Sequence, residues 1–359
     1  MLTKAQMYSQ MAEHVSSHIT SSFESWTSFL TTASKNYKYP YYDQLMIHAQ
    51  RPDATACAEY DFWNDRMGRY VKRGSKGIAL VDNSGEYPRL RYVFDISDTG
   101  TRQNSRKVRL WTMQDEYKEP IKQALEKRYG ISSERLETQL EDIARQRAND
   151  YWNDFGEQFF HILDESFLME YDEYNIEVAF KKAATVSITY MLYSRLTDNP
   201  NDYFEFEDFK NIFDFNTSQT ANYLGTAVSE ISSQIFREIE VTIRNYEQQL
   251  KRSKNHDERT RIQTGGRLFN SEHRTGSDRT QTTGQIRQNE ENFSQGEQVN
   301  VIQPPDFNRK VVSTSVGNRR NSQPQIGTDD ARTSQSSRSN RTTESQQSNG
   351  VGGLDEQLQ

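Results

Sequence analysis

Arg69, Tyr70, Lys72, Arg73 and Lys76 fall within one short stretch, and together they have the makings of a binding surface. Four cations and a ring, with Gly74 and Gly77 among them, suit a phosphate backbone and an exposed base face. The glycines permit the close approach of a backbone. Arg89, Arg91 and Tyr92 form a second group, and on a strand Arg89 and Arg91 share one face. Tyr37, Tyr39, Tyr41 and Tyr42 gather beside Lys35 and Lys38 and serve equally well as the edge of an aromatic core. Each group also has an ordinary reading. A basic tip is commonly solvated surface, Trp26 and Trp63 suit a core, and His48 on an apolar helix suits packing more than ligation.

Catalytic constellations are harder to assemble. Cys57 is the one cysteine, so the chain forms no internal disulfide and no thiolate metal site, and no histidine pairs convincingly with it. His161 and Glu165 are spaced one helical turn apart, with Glu157 and Asp164 nearby. Zinc there needs a second histidine and a third ligand, for which the sequence offers no persuasive donor. Neither the G-x-x-x-x-G-K-[ST] phosphate loop nor the G-x-S-x-G elbow occurs. The expectation is no catalytic residue, no metal and no cofactor.

The elements that must position the binding residues follow from periodicity. Met7, Met11, Val15, Ile19, Phe23, Trp26 and Leu30 predict one long helix over residues 2–31. Pro40 and Pro52 bracket a second, and Tyr60, Phe62 and Trp63 mark a third, short one ended by Gly68. Residues 69–81 read as a β-hairpin with a basic tip, 87–96 as a third strand and 108–111 as a fourth. Beyond Asp115 the pattern is helical. Pro120 opens one helix, Leu136 and Leu140 mark another, and the stretch from Trp152 to Leu163 marks a third. A buried helix is expected over 178–196, and a last helix carries Ile231, Ile235, Ile239 and Ile243.

Charge and polarity divide the chain. Between Asp61 and Leu110 eleven Lys and Arg face six Asp and Glu; from Asp115 to Phe180 seventeen acids face seven bases. The net charge of -7 therefore conceals a locally basic stretch, and electrostatic footprints are local. Mean hydropathy is -0.96. From Lys251 onward there is no Tyr, Trp or Cys and only three Phe, so that segment cannot bury enough apolar surface to offset its ordering entropy. It is expected to be a disordered tail, adding weak phosphate contacts or serving as a linker to further domains. No leader or membrane-spanning stretch is evident, which with the lone cysteine fits a cytoplasmic protein.

A series of blocks occurs in a recognisable order: Trp26, Phe29-Leu30, Gln44-Leu45-Met46-Ile47, Gln50-Arg51-Pro52-Asp53-Ala54-Thr55, Trp63, Gly68-Arg69, and Val71 through Ile78. This pattern resembles the N-terminal domain of the ArdC-type antirestriction proteins and covers roughly residues 22–113. The variant with Ala56-Cys57-Ala58 and the run Tyr92 to Thr99 is most similar to N-terminal parts of large proteins on conjugative elements of Gram-positive bacteria. The resemblance implies single-stranded DNA binding and carries Gln44 and Arg51 into the candidate set. ArdC proteins also have a metallopeptidase-like domain built on H-E-x-x-H, which this sequence lacks.

The sequence thus predicts an α+β N-terminal domain over 1–113, with helices and a small antiparallel sheet. An all-α domain over 114–250, either an unrelated helical bundle or a degenerate, metal-free remnant resembling the ArdC peptidase domain, and the disordered tail over 251–359 follow it. A non-enzymatic single-stranded DNA-binding protein of a mobile element is expected. The nucleic-acid candidates are Gln44, Arg51, Arg69, Tyr70, Lys72, Arg73, Lys76, Arg89, Arg91 and Tyr92. The alternatives are a scaffold whose helical part docks a protein partner in a transfer or replication machine, and a diverged zinc metallopeptidase.

Overall fold

A computed structural model describes residues 2–269 apart from 84 and 86, with side chains as far as Lys254. Helices and a small antiparallel sheet come first and a helical region follows, as the fold class expected. The tail expected from 251 lies largely outside the described residues. Its first part, through Phe269, continues the last helix.

The apolar stripe over 2–31 forms two helices, α1 (Lys4–Ile19) and α2 (Phe23–Lys35). Polar residues break it. The Thr20 hydroxyl donates to the Phe215 carbonyl at 2.7 Å, and the Ser22 hydroxyl caps α2 by accepting from the Ser25 amide. Helix α3 (Tyr41–Gln50) fits between Pro40 and Pro52 as expected. After β1 (Cys57–Glu59) the third expected helix is a single π-helical turn, Phe62–Arg66, closed by Gly68 at φ +62°.

The expected hairpin does not form. Strand β2 (Arg69–Val71) pairs with β5 (Thr99–Thr101), whereas β3 (Ile78–Asp82) pairs with β4 (Arg89–Asp95) in a separate sheet of order β1-β4-β3. All pairings are antiparallel. Tyr70 stands opposite Gly100, and its ring lies so close over that residue that a Cβ there would sit 2.3 Å from it. Residues 108–111 form no strand. The Trp111 carbonyl accepts from Arg195, whose guanidinium lies 4.1 Å from the Trp111 ring centre.

One face of the three-stranded sheet packs Ile78, Leu80 and Val93 against Ala12 of α1 and Met46 and Ile47 of α3. Its β3 edge meets a side chain. The Gln50 amide donates to the Ala79 carbonyl at 2.8 Å, and its oxygen accepts from the Ala79 amide at 2.9 Å.

Helix α4 (Asp115–Tyr129) begins before Pro120 and ends at Gly130, which has φ +72°. The two helices expected over 136–163 are one, α5 (Leu136–Phe159), because Leu140, Ala144, Ala148 and Trp152 keep a single buried face in register. Helices α6 (Glu173–Leu196) and α7 (Ser218–Phe269) complete the bundle. The larger of two apolar clusters among the described residues runs from Trp26, Phe29 and Leu30 through Leu45 to Ile143, Phe180, Ile188, Leu224 and Phe236. The Trp26 indole donates to the Ser187 hydroxyl at 2.8 Å inside it. The boundary drawn after residue 113 therefore falls within a continuous core.

Candidate nucleic-acid interface

The segment between the two sheets carries the expected cations and is fastened at its base. The Lys72 carbonyl accepts from the Ser75 amide at 3.2 Å, and Gly74 supplies the left-handed φ, +87°, that the third residue of such a turn needs. The Lys72 amide and the Ser75 hydroxyl both donate to the Asp98 carbonyl, and the Lys72 ammonium donates to the Ser97 carbonyl at 2.8 Å. Arg73 and Lys76 are exposed and enter no ion pair with a described residue. Arg69 is half-buried, donating to the Thr99 hydroxyl at 2.8 Å.

The short 3-10 turn beneath, Ile96–Asp98, is organised by Asp95. One oxygen of that buried carboxylate accepts from the amides of Thr55 and Ala56; the other accepts from the amide and hydroxyl of Ser97. Burial alone would raise the Asp95 carboxyl, but the donors from Ala56, Ser97 and Thr55 outweigh it and hold it below the usual carboxylate range. Arg51 reaches the same turn, pairing with Asp98 and donating to the Ser97 hydroxyl at 2.8 Å. The blocks around Arg51 and Asp95 are thus two halves of one fastening.

Several expected site residues are engaged elsewhere. Gln44 is fully buried, with its amide donating to the Tyr39 carbonyl at 2.8 Å. Arg91 shares a face of β4 with Arg89 but pairs with Asp43 on α3 and with Glu59 on β1. Burial raises the Asp43 carboxyl to about 6 against the opposing pull of Arg91. The Tyr70 ring has one face against Gly100, with the Arg102 guanidinium 5.8 Å from its centre. Tyr92 and Arg89 remain exposed. The Tyr92 side chain stands over Gly77 beside Phe94, on the sheet face away from α3.

Other cations join this surface that motif spacing did not single out. Arg106 donates its amide to the Met67 carbonyl, Ser105 its hydroxyl to the Gly68 carbonyl, and Arg102 its guanidinium to Asn64. These bonds fold residues 102–106 back along the π turn and Gly68. The only signal of these cations in the sequence was the count of bases between 61 and 110.

The metal reading loses its geometry. Helix α5 ends at Phe159, so His161 and Glu165 do not share a helical turn. Among the described residues no group of three or more His, Cys, Asp or Glu could hold a metal ion. None of the described helices is long and apolar enough to cross a membrane. Comparisons with protein-family models, with curated proteins and with solved structures find no match.

Proposed function

We propose that the surface built on residues 66–109 binds single-stranded DNA in the cytoplasm, without catalysis, in the service of a mobile element. One observation carries this reading. The acids Asp95 and Asp98 are consumed inside the fold, and Asp43 and Glu59 are taken by Arg91. Arg66, Arg69, Lys72, Arg73, Lys76, Arg106, Lys107 and Arg109, by contrast, enter no ion pair with a described residue. Positive charge is left facing solvent beside an exposed ring at Tyr92. Cations would track the phosphates and Tyr92 would stack on a base. Arg51, Gln44 and Arg91 act in this reading as supports. They hold the 3-10 turn, the α3 entrance and the strand on which the exposed groups stand.

The test is fluorescence anisotropy of the full chain with labelled oligothymidylate and with a duplex, across a salt series. The single strand should bind preferentially and lose affinity as salt rises. Changing Lys72, Arg73 and Lys76 together to Ala should flatten the slope of log K against log salt by about 2, from roughly 0.7 per lost phosphate contact. Tyr92→Ala should weaken binding by about 1–3 kcal/mol with the slope unchanged. Absence of binding at low salt, or equal affinity for both forms, overturns the proposal.

A further inference from the structure

Opposite charges alternate along much of the helical surface. Lys118 pairs with Asp115, Lys122 with Glu119, Arg145 with Asp142, Arg147 with Asp150 and Lys181 with Glu177, each pair within one helix. The connection from α5 to α6 departs from that pattern. Residues 164–174 read Asp-Glu-Ser-Phe-Leu-Met-Glu-Tyr-Asp-Glu-Tyr, with five acids and no base. Leu168 is buried as the anchor, while Phe167 and Met169 on either side are 61% and 64% exposed and Tyr174 is 73% exposed.

Two bonds place this turn against the end of the 3-10 segment Phe206–Asp214 and Asn216 just beyond it. The Phe167 amide donates to Asn216 at 2.9 Å and the Tyr171 hydroxyl to Asp214 at 3.4 Å. That segment adds Glu207, one base, the exposed Lys210, and an exposed Phe206, whose ring stacks on Phe213 at 5.5 Å. The result is a ridge of rings and a thioether rimmed by carboxylates. Asp164, Glu165, Glu170, Glu173 and Glu207 enter no ion pair with a described residue. Glu165 is also the only described non-glycine residue with positive φ, at 64°, so a carboxylate stands where a strained turn favours glycine.

The chain therefore presents two exposed surfaces of opposite sign, each with accessible rings, and no ion pair between described residues joins them. We propose that the acidic ridge docks the cationic surface, residues 66–109, of a second copy of this chain. Guanidinium groups would lie on Phe167 and Tyr171, and ammonium groups against the rim. The contact joins unlike patches, so each added copy leaves one ridge and one cationic surface free. Association is then head-to-tail, closing into a ring or running on as a filament according to the rotation between copies. A nucleic strand on the cationic surface would exclude the second copy.

Sedimentation velocity of the full chain over about 1–100 µM, at low ionic strength and at about 0.3 M salt, tests this through screening. At low ionic strength the average mass should climb above 41.9 kDa with concentration, and salt should return it to that value. Glu165→Lys, Glu170→Lys and Glu173→Lys together should hold the chain at monomer mass. Lys72→Glu, Arg73→Glu and Lys76→Glu together should do the same. Mixed, the two variants should associate again, to at least a pair of twice 41.9 kDa, since each keeps the patch the other has lost and the two reversed patches are themselves of opposite sign. Phe167→Ser with Met169→Ser, both at exposed positions, should weaken association at least about tenfold if the rings anchor the contact.

Monomer mass at every concentration overturns the proposal, as do association indifferent to ridge reversal and a folded mixture that forms no pair. The ridge variant retains the cationic surface, so its anisotropy with oligothymidylate separates this proposal from the preceding one. Loss of strand binding with self-association intact removes only the DNA reading.

Discussion

A chain cut after Gln114 tests the continuous core. The part that remains holds Trp26, Phe29, Leu30, Tyr37, Tyr41 and Leu45, none more than 4% exposed, and all belong to the cluster completed by α4 to α7. Fully burying one large apolar side chain is worth about 1.5–3 kcal/mol. If the cut exposes half of each, the six lose about 5–9 kcal/mol, comparable with the roughly 5–15 kcal/mol by which whole domains are stable. Polar partners go as well. Trp26 loses Ser187, Thr20 loses the Phe215 carbonyl, and Tyr37 loses Glu240. The fragment 1–114 should therefore show collapsed amide proton dispersion by NMR and no cooperative thermal transition, while 1–269 shows both order and cooperativity. A dispersed spectrum and a sharp melt from 1–114 would refute the reasoning and make the basic module an independent domain.

Gly225→Ala should destabilise the chain by about 1–3 kcal/mol or more in chemical denaturation, as overpacking does. The added methyl would stand 2.0 Å from the buried Tyr41 ring, between α7 and α3. The half-buried His48 and the buried Asp43 should oppose each other in the pH dependence of stability. His48 is lowered to about 4 by burial, so its contribution is complete above its unfolded value of 6.5 and is lost as pH falls through about 4. Asp43 is raised to about 6 by burial, so its contribution is complete below 3.8 and is lost as pH rises through about 6. Between those limits stability should fall with acidification in Asp43→Asn and rise in His48→Asn; parallel profiles for the two variants would contradict the assignment.

How much the sequence disclosed varied with the kind of information required. Pro40 and Pro52 delimit α3 through local sterics, so its ends were legible. Strand positions were legible too, but not their partners. Thr99-Gly100-Thr101 has no apolar alternation, and its pairing with β2 rests on the fit of the Tyr70 ring over Gly100. An amphipathic stripe says which face of a helix is buried and not which helix covers it. The sharing of one core by α2, α6 and α7 was therefore hidden. The cations were plain as residues, but their availability was not. Arg91 is withdrawn by Asp43, which lies 48 positions earlier, whereas Arg73 is left free by a turn that spacing alone had read as a hairpin tip.

The Gln50 amide offers one donor and one acceptor to Ala79 with the geometry of a neighbouring strand, yet it comes from a helix. An incoming extended chain would have to displace that bidentate contact before it could zip onto β3. The sheet is thus blunted at its third strand by one side chain, a safeguard against runaway strand addition and the aggregation it brings.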